Sequence, residues 1–242
     1  MSKKNPKVLI WDLETGGVNA LKPSLGFIFV FGYKWLGEKE VHTLRFEDYN
    51  GYINTGTGYT DKYLLKAATK VMEKADLMVA HFGDRFDRPF VNGRLAINSL
   101  PPIPTTKQVD TCLLAWKHFN FHSNRLKDLA KFLKCKQRKE ENEFPDWWLQ
   151  ALRGGKLAKR ALDLMEHYNK QDVRTLEEIY LRLRPFENKP LKLFDKGCRL
   201  CGSPVKYDGG HTRTKEKVYK RFKCTNKVCG YWDRDTKAVK EV

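Results

Sequence analysis

Asp12 and Glu14 stand two residues apart, directly after the apolar run Val8-Leu9-Ile10-Trp11. Successive side chains alternate along an extended chain, so the two carboxylates share one face while Leu13 points into a core. Like charges that close repel unless a cation lies between them, and carboxylate oxygens are the ligands that hard divalent ions take. A second pair of positions is set by helical spacing. Asp172 follows Tyr168 by four residues, on the same face as the apolar stripe Ala161, Leu164, Met165, Leu176, Ile179 and Leu183,. A carboxylate beside a buried stripe needs a partner. Asp87, in Phe86-Asp87-Arg88-Pro89, opens a turn into a helix. Each acid also has a plain reading: an ion pair at a sheet edge for Asp12 and Glu14, a helix cap for Asp87, and a salt bridge to Lys170 or Arg174 for Asp172.

The thiols form a second constellation. Cys198 and Cys201 are separated by two residues, Cys224 and Cys229 by four, with 22 residues between the pairs and Gly202 and Gly230 directly after the second member of each. These spacings let both members of a pair reach one tetrahedral Zn²⁺, an arrangement that resembles a zinc ribbon. Four thiolates need no fifth ligand from His211. Cys112 and Cys135 lie on helical patterns and read as plain buried residues. Between the thiol pairs, Lys215, Lys217, Lys220, Arg221 and Lys223 interleave with Tyr219 and Phe222, and Tyr231-Trp232 follows. Bases and aromatics together suit nucleic acid, cations for phosphates and rings for bases. The same rings are equally suited to a small core, and the sequence leaves both uses open.

Several elements must position these groups. Strands are expected over Lys7–Leu13 (broken by Gly16-Gly17), Phe27–Leu36, Glu40–Phe46 and Asp76–His81, with a last one ending near Val109. Asp48–Thr60 reads as a surface loop, Asp61–Ala75 as a helix, and a further helix runs through Phe90 and Leu95. After Thr111 the pattern is helical. It breaks at Gly154-Gly155, and its longest helix covers about 156–184 before Pro185. The segment Glu140–Leu149, with Trp147-Trp148, either borders a cleft or packs. This order describes an α/β fold, a mixed sheet flanked by helices. Periodicity disappears after Pro190, which places one domain at 1–188 and a small one at 189–242. The chain carries 46 Lys and Arg against 29 acids, a net of +17 over 242 residues. Residues 189–242 alone hold 15 against 6, a net of +9. That balance points to a polyanionic partner, nucleic acid first. The apolar content of 41% excludes a disordered chain, and no apolar run reaches the ~20 residues of a membrane span,. With an N-terminus unlike a signal peptide, the expectation is a cytoplasmic protein whose cysteines serve metal rather than disulfides.

Three motifs occur in order on strand, turn and helix: Asp12-Leu13-Glu14-Thr15-Gly16-Gly17, His81–Phe90 with its Asp87, and Tyr168-Asn169-Lys170-Gln171-Asp172. Val109-Asp110-Thr111 and Leu126–Ala130 are also similar to family stretches. Over about residues 7–184 the chain resembles the DEDD exonucleases of the RNase H-like superfamily, in the subgroup with a Tyr. Its first two motifs are the more similar to polymerase-type proofreading exonucleases. The resemblance implies an RNase H-like sheet and a 3′–5′ exonuclease that releases nucleoside monophosphates. It implies two Mg²⁺ or Mn²⁺ held by Asp12, Glu14, Asp87 and Asp172, with Tyr168 orienting the attacking water. Two ions about 3.5–4 Å apart stabilise both the attacking and the leaving oxygen of an in-line displacement. The implied partner is DNA, or RNA, with a free 3′ end, alongside replication or repair proteins. DNA is favoured, an exoribonuclease is the alternative within enzymes, and a non-catalytic nucleic-acid-binding subunit is the alternative outside them. One position departs from the pattern. Phe82 stands where many members carry an Asn that helps place the substrate end, so His81 or Asp84 substitutes or the contact is missing.

Overall fold

The computed structural model describes residues 6–53, 58–136, 147–187, 190 and 192–241. Its contacts divide the chain into two compact units, one of Lys7–Ile179 and one built from Tyr180 onward. Among the described residues, no helix is long and apolar enough to cross a membrane.

The first unit is a five-stranded mixed sheet in the order β3-β2-β1-β6-β7. Its strands are β1 (Val8–Gly17), β2 (Gly26–Trp35), β3 (His42–Arg45), β6 (Leu77–Ala80) and β7 (Gln108–Asp110). β4 (Tyr52–Ile53) and β5 (Gly58–Tyr59) form a separate small pair. β1 is central, antiparallel to β2 and parallel to β6, which is parallel to β7. Its start is apolar on both faces, as a strand covered on both sides must be. Leu9, Trp11 and Leu13 pack with Leu64, Leu65 and Met72 of α1 (Lys62–Met72) and with Phe90 and Leu95 of α2 (Asp87–Ile97). The other side is closed by Ala151 of α5 (Trp147–Leu152) and by Ala161, Leu162 and Met165 of α6 (Gly155–Leu183), against Phe29 and Val30. α3 (Thr111–His118) and α4 (Leu126–Phe132) complete the unit.

A buried ion pair fastens α2 to the sheet. Asp61 Oδ2 accepts from Arg94 Nε and Oδ1 from Arg94 Nη2, both at 2.8 Å. Asp61 Oδ2 also accepts from the Ile28 amide and Oδ1 from Asn98 Nδ2, each at 3.1 Å. Spacing gave no sign of this pair, because its members lie 33 residues apart.

Four local expectations differ from the structure. β1 continues through Gly16-Gly17, since β2 offers Ile28, Phe27 and Gly26 as partners beyond a bulge at Glu14/Thr15. The expected surface loop holds a 3₁₀ turn and the β4–β5 pair. On α6, Leu162 is buried where Leu164 was expected and Leu164 is half-buried, because the apolar face turns toward β2. Cys135 sits just past α4 rather than in it, buried after a left-handed Lys134. Gly154 and Gly155, at φ of 72° and 70°, make the predicted break between α5 and α6, and a 3₁₀ turn containing Pro185 follows the end of α6.

The second unit is a three-stranded antiparallel sheet in the order β10-β9-β8: β8 (Val205–Arg213), β9 (Lys217–Cys224) and β10 (Trp232–Glu241). Its core is small: Leu200 and Tyr231 packed with Cys198, Cys224 and Cys229.

Candidate functional site

In open sheets the crevice lies at the carboxyl ends of parallel strands, and that is where the acids gather. β6 accompanies β1 only from Val8 to Ile10, so Asp12 and Glu14 lie past the end of that ladder. Carboxylate oxygens of Asp12, Glu14 and Asp172 lie within 4.8 Å of one another. Asp87 is not in this trio but lines the same cavity, which has a volume of about 1290 Å³. Asp87 is the first residue of α2 rather than its cap, and Phe86 stands at the cap position. Burial pushes the Asp87 carboxyl up to about 7, and the charge of Asp110 adds in the same direction. Lys170, a plain partner considered for Asp172, instead pairs with Glu166 at 2.6 Å. An all-oxygen donor set of this density fits hard divalent cations, which also relieve the repulsion among carboxylates.

Sequence reasoning passed over Asn169. It is wholly buried on α6, and its Nδ2 donates to Asp12 Oδ2 at 3.0 Å. Its Oδ1 has no hydrogen-bond partner and lies over Gly32, the residue opposite Asp12 in the β1–β2 register. A Cβ on Gly32 would stand 1.5 Å from that oxygen. Gly32 therefore makes the space from which Asn169 reaches Asp12. A glycine inside an apolar strand is the available signal, because it marks a close approach of other atoms.

The turn between β6 and α2 is organised by Asp110. Its Oδ1 accepts from the amides of Phe82, Cys112 and Leu113, and its Oδ2 from Asp84. It thus caps α3 and holds Phe82 at a left-handed φ of 60°. Phe82 is about half exposed in the cavity lining. Asp84 accepts from Gln108 Nε2 at 2.8 Å and is not part of the lining. Of the two substitutes considered for the family Asn, His81 is the one at the cavity, its Nδ1 bonded with Thr111 Oγ1 at 2.9 Å. Cys112 is half-buried and lines the cavity as well, and so do His122, Arg125 and Lys127 around the start of α4.

Tyr168 is buried and does not belong to the lining; its ring meets Trp147 edge-on at 5.0 Å. Trp147 and Trp148 pack beside the core under β2. Residues 140–146 of that segment lie outside the described residues.

In the second unit, the sulfurs of Cys198, Cys201, Cys224 and Cys229 all lie within 4.8 Å of one another, with Cys198–Cys229 at 3.8 Å and Cys201–Cys224 at 3.5 Å. Four sulfurs about 2.3 Å from a tetrahedral zinc would be about 3.8 Å apart, whereas a disulfide needs about 2.05 Å. The donor set fits Zn²⁺. Burial raises the thiol of Cys224 to about 11, a penalty that a divalent cation among the sulfurs removes,. Lys215 lies in the β8–β9 connection, and Lys217, Tyr219, Lys220, Arg221, Phe222 and Lys223 all lie on β9. Strand alternation separates them. Lys220 stands over the ring of Tyr207, which also meets Phe222. Arg221 and Lys223 stand over Trp232.

The first unit thus has the mixed sheet and helical flanks of the RNase H class, with acids crowded at the end of its central strand. Residues 9–184 match the RNase_H_2 family of the RNase H superfamily, and the chain belongs to that family, whose superfamily members are generally nucleases. Among solved structures, it is similar to the family B DNA polymerase from the hyperthermophilic archaeon Pyrobaculum calidifontis. The TM-score is 0.52 at 15% identity, over 76% of this chain and 26% of that one. The chain spans about a quarter of that polymerase, and the likeness concerns the fold. No curated protein sequence matches the chain significantly.

Proposed function

We propose that the chain is a metal-dependent 3′–5′ exonuclease of the DEDD type with a Tyr. It would act on DNA in preference to RNA and carry a zinc ribbon that binds nucleic acid. The observation that carries this reading is the trio Asp12, Glu14 and Asp172, with carboxylate oxygens within 4.8 Å, in one cavity with Asp87. These four acids would hold two Mg²⁺ or Mn²⁺, and Cys198, Cys201, Cys224 and Cys229 one Zn²⁺. The catalytic ions supply Lewis acidity to the reacting phosphate. Asn169 holds Asp12 in place. Tyr168, one helical turn before Asp172 and packed on Trp147 behind the cavity lining, would orient the attacking water by turning its hydroxyl into the cavity. Phe82 and His81 border the space for the strand end. Hydrolysis adds water across the last phosphodiester: its P–O3′ bond breaks, a 3′ hydroxyl stays on the shortened strand, and a nucleoside 5′-monophosphate leaves. Catalysis is assigned to residues 1–188 and retention of the strand to 189–242.

The test is release of mononucleotides from DNA and RNA labelled at either end, with Mg²⁺, Mn²⁺ or chelator, by the parent chain and by Asp12→Asn. Stepwise loss from the 3′ end that requires metal and Asp12 supports the reading. Persistence of activity in excess chelator, or cutting from the 5′ end, would refute it. Faster attack on RNA would make the enzyme an exoribonuclease.

A further inference from the structure

We propose that one face of the β8–β9–β10 sheet is a phosphate-binding ladder whose aromatic rings hold cations in place rather than stack on bases. This rests on the reading that residues 189–242 bind nucleic acid and names the group they bind.

Strand register builds the ladder. Lys206 on β8 stands opposite Lys223 on β9, which stands opposite Trp232 on β10. Two residues on, Arg221 stands opposite Arg234. Residues opposite or two apart share a face, so four cations and Trp232 occupy two adjacent rows of one side. The next position on that face is Tyr219. The rings are already engaged: Arg221 lies 4.8 Å and Lys223 4.7 Å from the centroid of Trp232, and Arg234 lies 4.5 Å from Tyr219. All three fall within the ~6 Å reach of cation–π attraction. Arg221 is also fixed through Nε to Asp208 at 2.6 Å.

A groove of about 680 Å³ covers part of this face, lined by Tyr219, Arg221, Trp232 and Arg234 among others but not by Lys206 or Lys223. Asp233 and Asp235 also line it, and Asp233 is met by Arg199 at 2.6 Å. The segment's net of +9 makes a polyanion its complement. Long cationic side chains ordinarily lose rotamer freedom on meeting a phosphate. Side chains already held over rings lose less, which favours binding without a new contact. A ring that supports a cation is also committed, so recognition falls on the backbone and is tolerant of sequence.

The experiment uses the full chain carrying Asp12→Asn, which keeps the strand intact. It compares a labelled oligothymidylate of about 15 nucleotides with a strand of equal length whose sugars carry no bases. Affinity is measured across a salt series. The expected result is binding of the two strands within about threefold of each other and a log–log salt slope near 2.8, from about four phosphates at ~0.7 each. Lys223→Gln and Arg234→Gln should each lower the slope by about 0.7. Trp232→Leu should weaken both strands by the same factor, with zinc content measured to confirm an intact ribbon. A base-free strand bound tenfold or more weakly, as stacking worth about 1–3 kcal/mol per base would require, overturns the ladder in favour of base stacking. Binding with a salt slope unmoved by either Gln variant places the contact elsewhere and overturns the ladder alone. Failure of both strands to bind overturns the reading of the segment itself, and polyglutamate bound as tightly would reassign the face to acidic protein.

Discussion

Replacing Gly32 by Ala probes the Asn169–Asp12 contact without touching either residue. The new Cβ would lie 1.5 Å from Asn169 Oδ1 and 2.7 Å from its Cγ, so the amide must leave its seat. Asp12 then loses a hydrogen bond to a charged group, worth about 1.5–3 kcal/mol. At 1.4 kcal/mol per decade this is roughly 10–150-fold, in line with the 10–100-fold usual for residues that orient metal ligands. Overpacking separately costs about 1–3 kcal/mol, which for a unit of this size lowers Tm by roughly 2–12 °C. The two effects part in the double variant. Gly32→Ala with Asn169→Ala relieves the clash, so Tm should return to that of Asn169→Ala alone while cleavage stays at the low level of that variant. The assay is single-turnover cleavage of a 3′-labelled strand across a Mg²⁺ titration, alongside thermal unfolding. The half-saturating metal concentration should rise in all three variants. Full activity in Gly32→Ala, or losses that multiply in the double variant, would refute the claim that Gly32 acts through Asn169.

Cys224→Ser should reduce bound zinc from about one per chain to about none and open residues 190–242 to protease, because the ion supplies the folding energy of so small a core; retained zinc would argue against four-thiolate ligation. Asp61→Asn leaves the Arg94 guanidinium buried without its counter-charge and should cost about 3–5 kcal/mol, read as a Tm lower by roughly 6–20 °C,. Although burial works against its charge, hydrogen bonds from Lys170, Thr43 and Arg45 hold Glu166 down from 4.5 to about 2. Its contribution to stability is therefore full above pH 4.5 and is lost as pH falls through about 2, so Glu166→Gln should lower Tm at pH 6 and narrow the further fall between pH 4.5 and 2,.

What the sequence revealed about the fold came from periodicity, and what it hid came from contacts between distant segments. The apolar run before Asp12 predicts a central strand, and the stripe around Tyr168 predicts a long helix; both are present. Four thiols in two close pairs predict a shared centre, and their sulfurs do converge. Three of the four acids converge too, with Asp87 in the same cavity. Asn169, by contrast, reads as an ordinary polar residue inside a motif, because nothing local says that a glycine 137 positions earlier has cleared a seat for it. Asp110 is legible only as part of a stretch similar to the family; its two tasks, capping α3 and holding the Phe82 turn, depend on the helix start and on β6 and β7 lying side by side. The basic cluster of β9 reads as one patch along the chain, yet alternation sends Lys220 and Phe222 to the Tyr207 side and Arg221 and Lys223 to the Trp232 side.

The unequal company of β1 has a dynamic consequence. From Val8 to Ile10 the strand is laddered on both sides, whereas from Asp12 to Gly17 its ladder runs to β2, with a bulge midway. Opening free energies rise with the number of neighbours that must let go, so amide protons in the first stretch should exchange with solvent only when the whole unit unfolds. Those beyond Glu14 can exchange through local excursions that leave the core closed. One strand therefore behaves as two, a root that records global stability and a tip that fluctuates on its own. The tip begins just past Glu14, so the rim of the crevice can adjust to whatever enters while Asp12, held by Asn169, stays on the closed part of the sheet.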